Sequence, residues 1–284
     1  MNCPGQSFKE VRRLKRISWF VSFATLALLA GAEIICAQTA PQSLSSPSSD
    51  CAEVEPLRKR VKVMERRLRD WPELSRYREA NAALVAPSKV QKRVVFLGDS
   101  ITDFWSRPAS GGFFPGKAYI NRGVDGQTSP QMLIRFKADV IALQPKVIVI
   151  LAGTNDIAGN TGPTTLEQIA DNLSSMADLA RAHGVQVVLA SVLPVSDYGH
   201  RADGRNLIQT ERRPPDRIVK LNSWIRRYAS ENGYIYLDYF SVMADQSGML
   251  RRDLSEDGLH PNARGYAVMA PLAEQAIKRA LKKH

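Results

Sequence analysis

Four short blocks of the sequence hold the residue types that nucleophilic chemistry requires: Gly98-Asp99-Ser100-Ile101-Thr102, Asn121 to Thr128, Gly153-Thr154-Asn155-Asp156 and Asp257-Gly258-Leu259-His260-Pro261. A serine hydroxyl is a weak nucleophile until a neighbouring base accepts its proton, and a strand end followed by a turn exposes it at the mouth of a sheet. Ser100 has that setting. His260 suits the base, because an unperturbed imidazole titrates near neutrality and both takes and returns a proton. Asp257, three residues earlier, can accept the other ring N–H, which selects the tautomer and stabilises the imidazolium as it forms. Each residue also has a plainer structural reading. Ser100 could cap a following helix and Asp99 could organise the turn. The turn role is the expectation for Asp99, whereas the presence of Asp257 and His260 favours the chemical role for Ser100. Asp156 reads as a structural hydrogen-bonding residue, Asp125 and Thr128 as loop-shaping, and His183, before Gly184, as a helix C-terminal cap.

These blocks need elements that hold them together. Short β-branched runs at Val94 to Leu97, Ala118 to Ile120, Val147 to Leu151, Val185 to Ser191 and Tyr234 to Leu237 read as strands. Between and after them, Pro130 to Leu143, Leu166 to His183, Arg217 to Glu231 and Asn262 to Leu281 read as helices. Ser129-Pro130 supplies an N-cap with proline in the first turn, and Thr164 with Glu167 a capping box. Alternation of this kind predicts an α/β protein: a three-layer α/β/α sandwich around a mostly parallel sheet of about five strands. In such sheets the ligand site lies beyond the carboxyl ends of the strands, and three of the four blocks follow predicted strands.

Taken together, the four blocks resemble the GDSL family, also called SGNH hydrolases, over roughly Val94 to Leu281. The resemblance implies a flavodoxin-like fold and an ester hydrolase working through an acyl-enzyme. It implies Ser100, Asp257 and His260 as the catalytic set, with an oxyanion hole made by the backbone N–H groups of Ser100 and Gly126 and the side-chain amide of Asn155. An amide donates there without carrying charge, and a glycine lets the backbone come close. The family's range of substrates covers acetylated carbohydrates, lysophospholipids, short acyl esters and acyl thioesters. The reading preferred here is a short acyl ester, such as acetyl on a polysaccharide. A lysophospholipase or arylesterase is the alternative, and a noncatalytic carbohydrate-binding or envelope protein the alternative of another class. The polar segment Ser196 to Pro215 is expected to wall the substrate pocket, with His200, Arg201 and Arg205 as candidate substrate-binding residues. No His-Glu-x-x-His, paired-cysteine or EF-hand pattern is present, so neither a metal nor a cofactor is expected. The absence of Gly-x-Ser-x-Gly argues against the larger α/β-hydrolase family.

The first residues read as a leader. Arg12, Arg13, Lys15 and Arg16 precede an almost uninterrupted apolar run from Ile17 to Ala32, and small residues follow near Ala37. Residues 1–37 are therefore expected to be a signal peptide, giving a periplasmic or secreted enzyme; an uncleaved anchor is the other reading. Removing them takes away five Lys/Arg and two Asp/Glu, so a net charge of +11 becomes +8. Cys51 alone of three cysteines would remain, excluding an intrachain disulfide. Residues 38–50 are Ser- and Pro-rich, as in a linker. Residues 51–90 are expected to form two helices broken near Pro72, ahead of a catalytic domain over 91–284. Their basic run (Arg58, Lys59, Arg60, Lys62, Arg66, Arg67, Arg69) lacks interleaved aromatics, which disfavours nucleic acid. The apolar residues Leu57, Val61, Met64, Leu68 and Trp71 are expected to pack on the domain as a brace. Exposed, they would instead meet a membrane surface.

Overall fold

The structure, a computed structural model, describes residues 50–88, 90–200, 204 and 206–283. The expected signal peptide and nearly all of the linker lie outside the described residues. Contacts divide the chain into Met1–Cys51 and Ala52–His284, and the second unit carries the fold. The described elements in order are α1 (Asp50–Arg69), α2 (Arg78–Ala82), β1 (Val94–Gly98), α3 (Ser100–Phe104), β2 (Tyr119–Gly123), α4 (Ser129–Asp139), β3 (Val147–Leu151), α5 (Thr154–Ile157), α6 (Leu166–Ala182) and β4 (Gln186–Ala190). There follow the short β5 (Gly199–His200) and β6 (Asn206–Leu207), α7 (Gln209–Arg212), α8 (Pro215–Glu231), β7 (Ile235–Leu237), α9 (Phe240–Met243) and α10 (Ala263–Leu281).

β1, β2, β3, β4 and β7 form one wholly parallel sheet in the order β2-β1-β3-β4-β7, and β5 pairs with β6 as a separate antiparallel hairpin. The strands β1 and β3 are apolar and buried at every position because both faces are covered. Val95, Leu97, Ile148, Ile150, Val187 and Leu189 point into one core layer with Met132 and Phe136 of α4, Leu173 and Met176 of α6, and Leu221 and Ile225 of α8. Their neighbours Val94, Phe96, Val147, Val149 and Val188 point the other way, onto Ile101 of α3 and Met269, Ala273 and Ile277 of α10. The period of two along each strand thus builds two cores, giving the three-layer α/β sandwich.

The α6 helix starts at Leu166 as expected, but the caps expected for α4 and α6 are each one residue off. α4 is capped by Thr128, whose partner is Gln131, with Ser129 already inside the helix. α6 is capped by Thr165 with Gln168, not by Thr164 with Glu167. In both cases a neighbouring Ser or Thr could serve, and the register of the buried face decided which did. His183 does occupy the C-cap of α6, with Nδ1 2.8 Å from the Leu179 carbonyl oxygen.

The brace differs from expectation in an instructive way. Residues 71–85 dock on the domain: Gln131 Nε2 donates to the Trp71 carbonyl at 2.6 Å and Gln127 Nε2 to that of Pro72 at 2.9 Å. The Tyr77 hydroxyl donates to the Gly123 carbonyl, and Arg122 stacks over the Tyr77 ring at 4.6 Å. Asn81 bridges Asp139 and Arg122. The stripe of α1 does not dock. Leu57 is 54% exposed, Met64 56% and Leu68 82%. Two apolar residues in seven make a stripe too narrow to cover a globular core.

Candidate active site

Ser100 opens α3 immediately after β1. Asp99 caps that helix, its Oδ1 accepting from Ile101 N at 2.9 Å, so the hydroxyl-bearing residue is presented at the carboxyl end of the sheet. The other side of the site comes from the loop before α10. There Asp257 Oδ1 accepts backbone N–H groups of Leu259 (2.9 Å) and His260 (2.8 Å), folding residues 257–260 into a tight turn. Gly258 has φ of 77°, and a side chain there would strike the Ser196 carbonyl. The Ser196 N–H donates to the Gly258 carbonyl at 2.8 Å, and Asn262 caps α10 through Gly265 N at 3.0 Å. The Tyr266 hydroxyl donates to the Ile101 carbonyl at 2.9 Å, tying the helix after His260 to the helix that carries Ser100.

These supports bring the two ends of the chain together. His260 Nε2 lies 3.0 Å from Ser100 Oγ, and His260 Nδ1 lies 2.6 Å from Asp257 Oδ2. Partial burial opposes ionisation of Asp257, but hydrogen bonds from the His260 side chain and from the backbone of His260 and Leu259 outweigh it. The carboxyl is held well below the usual carboxylate range. An ionised Asp257 accepts Nδ1–H, which leaves the Nε2 lone pair facing the serine hydroxyl, the tautomer a general base requires.

Gly126 and Asn155 meet in one hydrogen-bonded turn beside β2 and β3. Gly126 has φ of 76°, a left-handed conformation that glycine adopts without strain. Asn160 Nδ2 donates to the Gly126 carbonyl at 3.0 Å, and Asn155 Nδ2 donates to that of Gln127 at 3.1 Å. Asp156 is structural, as expected: it accepts Ser129 N at 3.0 Å and Ser129 Oγ at 2.5 Å.

Two arginines organise this turn: Arg213, expected only as one of several arginines in the polar segment, and Arg135, which the sequence did not single out. Arg213 is buried and donates through Nη2 to Asn155 Oδ1 at 3.1 Å, through Nε to Thr154 Oγ1 at 3.1 Å and through Nη1 to Gln209 Oε1 at 3.0 Å. Burial and the neighbouring Arg212 push its guanidinium down to about 10. Arg135, fully buried, pairs with Asp139 at 3.1 Å and donates to Gln127 Oε1 at 2.6 Å and to the Gly98 carbonyl at 3.1 Å. Nothing local in the sequence marks either residue, since Arg213 sits in a run of charged residues and Arg135 on an ordinary helix.

The candidate substrate-binding residues fare differently. His200 is exposed on the β5–β6 hairpin, and Arg201 and Arg205 lie outside the described residues. From the same polar segment it is Arg212 that reaches a cavity, donating to Asn160 Oδ1 at 2.8 Å. That cavity, about 690 Å³, is lined by Trp71, Asp125, Gly126, Gln127, Asn160, Thr161 and Arg212 among others. A second depression, about 660 Å³, opens on the His260 side past Phe104 and Arg107. Among the described residues there is no group of three or more His, Cys, Asp or Glu that could hold a metal ion, and no helix long and apolar enough to cross a membrane.

Asp99 has a cost attached to its position. Burial pushes its carboxyl up from 3.8 to about 6, and Oδ2 has no hydrogen-bond partner. Because the folded value lies above the unfolded one, the neutral form is the one the fold favours. The stabilising contribution is full below about pH 3.8 and is lost as the pH rises through about 6. Asp99→Asn, which keeps an acceptor for Ile101 N, should therefore stabilise the protein by roughly 1–3 kcal/mol at pH 8 and by much less at pH 4. Denaturant unfolding at the two pH values measures this, and an identical difference at both would show that Asp99 does not titrate in the folded state.

A Ser–His–Asp relay at the strand ends of a parallel sheet, with an amide and a glycine turn beside it, places this molecule in the class of carboxylic ester hydrolases. The chain belongs to the GDSL-like lipase/acylhydrolase family, whose model matches residues 96–268. A crystal structure from Bacteroides fragilis NCTC 9343 shares 40% identity with a TM-score of 0.68, covering 75% of this chain and 99% of that one. A GDSL-like lipase from Bacteroides thetaiotaomicron VPI-5482 is also 40% identical, with a TM-score of 0.67 over 74% of this chain and 98% of that one. Esterase TesA of Pseudomonas aeruginosa is 37% identical over 82 residues, 29% of this chain and 39% of that protein. The chain thus spans well under half of the length of that curated relative.

Proposed function

We propose that this protein hydrolyses carboxylic esters through an acyl-enzyme on Ser100, and that its substrates are short acyl esters, acetyl above all, of carbohydrates. The observation that carries the proposal is the connected relay Ser100 Oγ to His260 Nε2 at 3.0 Å and His260 Nδ1 to Asp257 Oδ2 at 2.6 Å. In this mechanism Ser100 Oγ attacks the ester carbonyl carbon while its proton passes to His260 Nε2. Charge gathers on the carbonyl oxygen, met by the Ser100 and Gly126 N–H groups and by the Asn155 Nδ2–H left over from its bond to Gln127. His260 then protonates the departing alkoxide as the carbon–oxygen bond breaks. A water, deprotonated by the same imidazole, attacks the acyl-serine; the acid leaves and Ser100 regains its proton. The ionised Asp257 faces the imidazolium in both halves.

The choice of a sugar ester rests on the cavity that adjoins Gly126. It offers one aromatic face, Trp71, among polar groups (Asp125, Gln127, Asn160, Thr161, Arg212). A pyranose presents apolar C–H faces and a rim of hydroxyls, which such a wall matches better than it matches an acyl chain. The leader-like first 37 residues add to this reading, because export would give access to acetylated polymers. The test is a screen against acetylated glycans, acyl nitrophenols and lysophospholipids. Trp71→Ala should raise KM for an acetylated glycan about tenfold while leaving nitrophenyl acetate turnover nearly unchanged. Faster hydrolysis of lysophospholipid than of any acetylated glycan would replace this substrate class with the lipid one.

A further inference from the structure

The uncovered stripe of α1 has a repeat that points to an occupant. Val54, Leu57, Val61, Met64 and Leu68 follow one another at steps of three, four, three and four residues, and each is 39% exposed or more. This is the a/d pattern of a heptad, with Val54, Val61 and Leu68 at a and Leu57 and Met64 at d. A globular packing face is wider, with three or four apolar residues per two turns; a strict two in seven is the seam of a coiled coil. Val63, which lines the cavity mouth next to Trp71, occupies position c. At about 100° per residue, c lies about 130° around the helix from the middle of the seam. The seam therefore faces away from the catalytic domain.

We propose that α1 pairs with α1 of a second copy of this chain as a parallel two-stranded coiled coil. The charges flanking the seam choose this partner and this direction. Arg60 stands at g and Glu65 at the following e, both exposed. In a parallel pair g of one helix meets the next e of the other, so Arg60 faces Glu65 of the second copy twice across the two-fold axis. An antiparallel pair would bring g against g and so Arg60 towards Arg60. Valine at the first two a positions with leucine at the first d position favours two strands over three or four. Pro56, inside the helix, falls at c, off the seam. An anionic lipid surface would use the same apolar residues and the basic groups beside them (Arg58 at e, Arg60 at g), but it would repel Glu65 at the seam's edge, which Arg60 of a second copy would pair.

The experiment uses the full chain in a nonionic detergent, followed by sedimentation over a range of concentrations. The unaltered protein should show a reversible monomer–dimer equilibrium. Arg60→Glu and Glu65→Arg should each raise the dimer dissociation constant about tenfold, since two attractive contacts become repulsive. The double exchange should restore it. Residues 1–49 are the same in all four proteins, so this pattern isolates α1. In a Cys3→Ser, Cys36→Ser, Cys51→Ser background, Met64→Cys should oxidise to a disulfide-linked dimer, because d meets d only in the parallel arrangement. Esterase turnover on nitrophenyl acetate should be the same in every charge variant, which verifies folding. A chain that stays monomeric, or whose dimer ignores the charge exchange, overturns the proposal. A monomer that floats with phosphatidylglycerol vesicles and not with phosphatidylcholine vesicles would assign the stripe to lipid instead.

Discussion

Ser100→Ala is expected to reduce ester turnover by about 10⁴-fold or more while leaving the thermal midpoint close to that of the unaltered protein. The hydroxyl is nearly buried, its contact with His260 is one hydrogen bond at the mouth of the sheet, and α3 is held by Asp99 and Tyr266 rather than by Ser100 itself. Removing it should therefore touch chemistry and not folding. Residues that act as one relay are not additive, so Ser100→Ala with His260→Ala should be no slower than Ser100→Ala alone. Steady-state rates on nitrophenyl acetate, compared with circular dichroism melts, decide the matter. More than a tenth of the activity surviving in Ser100→Ala would remove Ser100 as nucleophile.

The second large effect is expected at Asn155. Charge appears on the carbonyl oxygen only as the transition state forms, so a donor aimed at it contributes to kcat and hardly to KM. Asn155→Ala should lower kcat roughly 10²- to 10³-fold with KM within about threefold. Arg213 fixes the same amide, since its Nη2 donates to Asn155 Oδ1 while Asn155 Nδ2 donates to the Gln127 carbonyl; if Asn155 serves as the oxyanion donor, Arg213 is its positioning residue. Arg213→Met should lower kcat by a smaller factor, with KM again little changed, and should cost almost nothing further in the Asn155→Ala background. A purely structural Arg213 would instead lower the midpoint of unfolding and act equally in both backgrounds. An unchanged kcat in Asn155→Ala would take the amide out of the mechanism.

The alternation of apolar runs and amphipathic helices, together with the four polar blocks, contained the architecture and the core of the candidate site. That information is local: strand and helix periods are written residue by residue, and Asp99, Gly126, Gly258 and Pro261 mark their turns where the backbone needs them. The pairing of Ser100 with His260, 160 residues apart, was legible through the chemistry each residue type can perform together with the resemblance of the four blocks to a known family. The supports of the site were not legible. Arg213, Arg135 and Arg122 look like surface charges in sequence, and only the fold brings Asn155, Gln127 and Asn81 within their reach. The cavity wall was legible in part. A polar loop announces reach but not direction, so Arg212 of the segment Ser196 to Pro215 lines the cavity while His200 is exposed on a hairpin, and Trp71, from the N-terminal segment, completes the wall beside Gly126. Even the stripe on α1 was visible as a period, yet whether it is covered depends on whether another element is wide enough and near enough to cover it. A sequence determines the periods and the turn chemistry because these act over a few residues; burial and partnership act across the whole chain, and the tertiary structure alone decided them.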